Sequence, residues 1–244
     1  AVTSYSENGY VVAEGARQVH QLRGAFSDLV APPKRTLLLG FSMGGLIALD
    51  LAESHSNLYD GALLVSGVVG GTSAQVNYMG DVRVLFDCLF PCALPGGVTD
   101  VPNEPFPLPS VFACVSGNPS SIGALACTFR DSRFLLPGRN GPELAQSIIR
   151  ALGFHWYAAE DLFDRTHGHQ LYDNHDVTYT SCAPGVNDCV ARYTSTPDAE
   201  NFMRHHYAPT GILRNPVLTL HARHDPVVPS GHETLLRERT EAAG

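Results

Sequence analysis

The chain is short of charge, of long apolar runs and of clustered basic residues, and each shortage excludes something. Charged residues make up only 16% of its 244 residues. No stretch approaches the roughly 20 consecutive apolar residues that a membrane-spanning helix needs. No lysine or arginine run exceeds the pair Lys34-Arg35, and the net charge is −8, so the positive footprint of a nucleic-acid binder is missing. C-x-x-C spacings do not occur, which argues against a zinc site built on paired cysteines. No charged segment followed by an apolar core opens the chain, so no signal peptide is visible. Internal repeats and low-complexity segments are also lacking.

What is present is an ordinary globular balance, with 44% hydrophobic residues. The length suits one large domain, or one domain carrying a big insertion. Six cysteines lie mid-chain, at 88, 92, 114, 127, 182 and 189. Their connectivity cannot be deduced, but an even number in loop-like surroundings favours a disulfide-stapled insertion in a secreted or periplasmic protein.

Residues Ala1 to Tyr5 read as the end of a strand leading to a turn at Asn8-Gly9. Val12, Ala16, Val19, Leu22, Phe26 and Leu29 recur at helical spacing until Pro32-Pro33 stops the pattern. Thr36 to Gly40 is an apolar run of the kind found in strands covered on both faces. A helical pattern follows through Leu51, then a buried strand at Gly61 to Ser66. Much later come a strand at Pro216 to His221 and a helix from Glu233 to Ala243. Such alternation predicts right-handed βαβ units in a parallel sheet. Residues from about 72 to 211 break the rhythm, with a helix expected over Pro142 to Leu152. They are too long for a structureless loop. The expected division is a core of 1–71 and 212–244, with 72–211 as an inserted cap or lid.

Gly40-Phe41-Ser42-Met43-Gly44 matches G-x-S-x-G and falls between a predicted strand and a predicted helix. That turn lifts a serine Oγ clear of the sheet and aims the Met43 backbone N–H at a developing oxyanion. The two glycines are expected to avoid clashes with neighbouring strand or helix, and Gly45 to extend the clearance. A serine nucleophile needs a base oriented by an acid. Asp225, four residues past the last strand in His221-Ala222-Arg223-His224-Asp225-Pro226-Val227-Val228-Pro229, supplies the acid; the bland alternative is a turn-capping aspartate.

Together these segments resemble the α/β-hydrolase superfamily, in particular secreted esterases and prolyl-oligopeptidase-like serine hydrolases with a cap after the sixth strand. The resemblance covers 1–66 and 212–244. It implies an ester hydrolase acting through an acyl-enzyme on Ser42, with Asp225 orienting a histidine, a small-molecule ester as substrate, and no cofactor, metal, nucleic-acid or membrane partner. A peptidase of the same fold, or a catalytically incomplete binding module, is the alternative. The family's histidine lies beyond a further strand. His232, at the predicted helix start, reads as a polar helix-start residue rather than the base. The expectation is therefore a piece of a longer protein, lacking the first strands and the histidine-bearing end. Tyr5 and Asn8, at the carboxyl end of the first expected strand, are candidate pocket residues. His167, His169, Asp173, His175 and Asp176 carry metal-ligand chemistry but read as a hydrogen-bonded loop.

Overall fold

The computed structural model describes residues 1–92 and 94–244. Its elements run α1 (Val12–Leu29), β1 (Leu37–Phe41), α2 (Met43–Ser54), β2 (Gly61–Val65), α3 (Thr72–Leu89), α4 (Leu108–Gly117), α5 (Pro119–Ala126), α6 (Gly141–Arg165), α7 (Val186–Cys189), α8 (Pro197–His205), β3 (Val217–Leu220) and α9 (Gly231–Ala243). The chain divides into two compact units. The first comprises Ala1–Thr72, Met203–Ala222 and His232–Gly244; the second comprises Ser73–Phe202 and Arg223–Gly231.

The first unit is built on a parallel sheet ordered β1-β2-β3. Phe41 pairs with Val65 and Val65 with Leu220, so the carboxyl ends of all three strands are level. Strand side chains alternate between faces. On one face Leu38, Ala62 and Leu64 are buried. There α2 packs on β1 and β2 through a helix that buries Leu46, Ile47, Leu49 and Leu51. A helix apolar on nearly every side belongs between layers, and α1 packs against α2.

The other face corrects the expectation of a strand covered on both sides. Leu37, Leu39, Phe41, Leu218 and Leu220 are exposed, Leu37 to 72%. Apolar composition marks a strand built for burial, but composition alone does not supply the covering layer. Residues 1 to 5 form no strand either, because no neighbouring strand among the described residues offers them a ladder.

The second unit is helical and cross-linked. Disulfides join Cys88 to Cys189, Cys92 to Cys114 and Cys127 to Cys182, and no described cysteine is free. Cross-links of this kind fit an oxidising, extracellular or periplasmic setting. No helix among the described residues is long and apolar enough to cross a membrane. The helix expected over Pro142 to Leu152 runs on to Arg165. Its start is capped by Asn140, whose Oδ1 accepts the Glu143 N–H at 3.0 Å. It continues because the buried positions Ile148, Leu152, His155, Ala159 and Leu162 keep helical spacing past Gly153. Trp156 is buried with its indole N–H on the Glu104 carbonyl at 2.8 Å, whereas Tyr157 on the same helix is exposed.

A polar cluster ties α3 to the later loops. The hydroxyls of Tyr172 and Tyr179 both donate to Asp81 Oδ1 at 2.6 Å, and Arg130 Nη2 donates to the same oxygen at 2.8 Å. Arg130 also lies over the Tyr172 ring, 5.4 Å from its centroid. Burial pushes the Asp81 carboxyl up, against the pull of Arg130 and the two tyrosines.

Candidate functional site

Ser42 occupies the turn between β1 and α2 with φ 53° and ψ −124°, a conformation that non-glycine residues rarely adopt. Backbone bonds hold it there. The Ser42 N–H donates to Val65 O at 3.1 Å, and its carbonyl accepts from Gly45 N at 2.9 Å and Val68 N at 3.2 Å. The residue is exposed, at the amino-terminal end of α2. Met43 is the first residue of that helix, so its N–H has no intrahelical acceptor. An exposed hydroxyl beside a free amide at the positive end of a helix dipole can attack a carbonyl and stabilise the charge that forms.

The glycines around Ser42 have unequal roles. A Cβ on Gly40 would stand 2.0 Å from the Gly44 carbonyl oxygen, so no side chain fits. A Cβ on Gly44 would meet nothing within 4 Å, which corrects the expectation that both flanking glycines avoid a clash. The second tight position is Gly45, whose added Cβ would lie 2.7 Å from Gly67 Cα. The motif therefore needs Gly40 to make the turn and Gly45 to let α2 approach the segment after β2.

Beside Ser42 opens a cleft of about 380 Å³ lined by Tyr5, Val19, Leu38, Ile47 and Ala48 among others. Tyr5 thus shares the cleft with Ser42. Asn8 is not among the lining residues and stands exposed near the turn before α1.

Asp225 belongs to the second unit, in the excursion Arg223–Gly231. Its Oδ1 accepts the N–H groups of Val227 at 3.0 Å and Val228 at 2.9 Å, an Asx-type turn. Both bonds use one oxygen. Tyr78 donates to Pro226 O at 2.8 Å and Gln75 to Val227 O at 2.8 Å, so the backbone around the aspartate is held from α3.

His232 stands at the start of α9, as expected, and is fully buried there. The Gly70 N–H donates to its Nδ1 at 3.0 Å, which leaves the proton of the neutral ring on Nε2. Burial above all, with His221 and Arg239 nearby, lowers its pKa to about 3. A ring that holds a proton so weakly is a poor base at neutral pH. Sequence reasoning gave no hint of this burial, because nothing local distinguishes His232 from a solvated helix start.

The histidine-rich loop is a hydrogen-bonded one. Asp173 accepts from His175 N at 3.2 Å and Ser195 N at 2.9 Å, and His169 stands 3.4 Å from Asp198. No cluster of three or more potential ligands among the described residues is arranged to hold a metal.

No family model matches the sequence, and no curated protein does. Among solved structures, the chain is similar to the rice cell wall degrading esterase LipA from Xanthomonas oryzae, with TM-score 0.38 and 14% identity over 99% of this chain and 58% of that one. It is also similar to the peroxisomal α/β-hydrolase Lpx1 from Saccharomyces cerevisiae, with TM-score 0.26 and 11% identity over 95% and 60%. A membrane phospholipase A, a bacterial virulence factor, gives TM-score 0.26 and 17% identity over 98% and 64%. The chain thus spans 58% of the length of LipA.

Proposed function

We propose that the chain carries the nucleophile of an α/β-hydrolase that cleaves a carboxylic ester through an acyl-enzyme on Ser42. The observation that carries the reading is the backbone at Ser42. An exposed serine with φ 53° sits at a tight strand-to-helix turn whose leading glycine cannot be replaced. Backbone strain of this kind persists where a function needs the side chain placed.

In this reading Ser42 Oγ attacks the ester carbonyl carbon while a histidine oriented by Asp225 takes the serine proton. The Met43 N–H stabilises the tetrahedral oxyanion. The alkoxide then leaves with the proton, and water attacks the acyl-enzyme to release the acid and free Ser42. Apolar walls at Val19, Leu38, Ile47 and Ala48 suit an uncharged small-molecule ester. The disulfide-linked insertion between β2 and β3 acts as the cap, and an extracellular or periplasmic site of action goes with its cross-links.

Labelling with a fluorophosphonate probe, followed by peptide mapping, tests the nucleophile. The adduct is expected on Ser42, and the Ser42→Ala variant should not label. Parallel assays with nitrophenyl esters and peptide amides separate an esterase from a peptidase. Absence of any adduct on folded protein would replace the enzyme by a binding module of the same fold.

A further inference from the structure

The chain leaves the first unit after Ala222 and re-enters it at His232, and the excursion between them carries Asp225. Its two limbs are joined within the first unit. His221 Nδ1 donates to Glu233 Oε1 at 2.9 Å, and the two side chains are only 6% and 21% exposed. His221 is the residue just after β3, and Glu233 lies in the first turn of α9. Two backbone ties flank this pair. The Ala222 N–H donates to Ser66 Oγ at 3.3 Å, and the Gly70 N–H to His232 Nδ1 at 3.0 Å. These two fasten each limb to the segment after β2, whereas the His221–Glu233 bond fastens limb to limb.

Hydrogen bonds to a carboxylate are among the stronger ones, and partial burial shields this one from water. Within the excursion, Val227 and Val228 already orient the Asp225 carboxylate against its own backbone. Tyr78 and Gln75 hold the backbone of the excursion from α3, and the His221–Glu233 bond closes its two ends. A misplacement of about 1 Å remote from the chemistry can cost roughly a hundredfold in rate.

We infer that His221 and Glu233 form a clasp that positions Asp225 for catalysis. The inference rests on the reading of Ser42 as nucleophile and Asp225 as acid. Neither clasp residue touches substrate; both act through the loop they close.

A double-mutant cycle on the full chain tests it. His221→Ala should lower kcat for a nitrophenyl ester by about tenfold, with KM little changed, as expected for losing one hydrogen bond to a charged group. Glu233→Gln, which keeps an acceptor oxygen, should retain more activity than Glu233→Ala. In an Asp225→Ala background, His221→Ala should cost nothing further, because the residue it positions is gone. Equal losses in both backgrounds would make the pair merely structural and overturn the clasp. Full activity of Asp225→Ala would instead overturn the assignment of the acid. Hydrogen exchange supplies a readout independent of turnover. The amides of Ala222–Gly231 should exchange about tenfold faster in His221→Ala while those of β1 and β2 keep their rates. Unchanged exchange in that segment would also overturn the clasp.

Discussion

Gly45 approaches Gly67 so closely that a methyl group on Gly45 would lie 2.7 Å from the Gly67 Cα. The close approach brings the start of α2 against the segment after β2, where Val68 N–H also holds the Ser42 carbonyl at 3.2 Å. Contact between the two backbones therefore helps to fix the turn that presents Ser42. Gly45→Ala and Gly40→Ala should each destabilise the chain by about 1–3 kcal/mol through overpacking, and should reduce labelling of Ser42. Gly44→Ala, which meets open space inside a helix, should be neutral or stabilising by up to about 1 kcal/mol. Urea denaturation of the three variants checks the order. A Gly44→Ala variant as damaged as Gly40→Ala would refute it.

That contrast shows what the sequence could and could not reveal. The strand, turn and helix around Ser42 were legible because apolar runs, glycine spacing and helical periodicity are local signals. Which glycine lacks room was not, since Gly67 is distant in sequence and its approach to Gly45 is a product of packing. The bare face at Leu37, Leu39 and Phe41 escaped for a similar reason: residue type reports fitness for burial, not the presence of a cover. Disulfide pairing was open among six cysteines because it depends on how the helical insertion folds. His232 read as polar, yet the fold encloses it completely.

The Asp81 cluster was also invisible from sequence, because it joins α3 to residues about ninety positions away. Three donors converge on one carboxylate oxygen, and most of the pair is withdrawn from water. Asp81→Ala leaves the Arg130 charge without its partner and should cost about 3–5 kcal/mol. Tyr179→Phe removes one donor while two remain, and should cost about 1 kcal/mol. Thermal unfolding of the two variants provides the comparison. If Asp81→Ala melted like the parent, the cluster would not hold the second unit together.

All six cysteines lie in the second unit, and their bonds close segments separated by 101, 22 and 55 residues. In the chain-entropy account each such closure stabilises by about 3–5 kcal/mol. Reduction should therefore raise hydrogen exchange across Ser73–Phe202 strongly and leave α2 and the three strands nearly as protected as before. Mass spectrometry of exchanged peptides, with and without reductant, checks this. Equal loss of protection in β1 and β2 would show that the sheet depends on the cross-links.

Acid should destabilise the chain earlier than its carboxylates alone would. His155 and His232 are buried, and desolvation first, with Arg83 near one and His221 and Arg239 near the other, lowers each pKa to about 3. In the unfolded chain a histidine titrates near 6.5. Above that pH both states carry neutral rings and the histidines make no pH-dependent difference. Below it the unfolded chain takes up protons that the folded one refuses, so stability falls as pH drops from about 6.5 towards 3. The slope is at most about 1.4 kcal/mol per pH unit for each histidine. Urea midpoints should stay nearly level from about pH 7.5 to 6.5 and then fall steadily down to about pH 4.5. His232→Asn, whose amide oxygen can still accept the Gly70 N–H, should fall less steeply than the parent. Identical slopes in the two proteins would mean that His232 is protonated as readily in the fold as outside it, contrary to its burial.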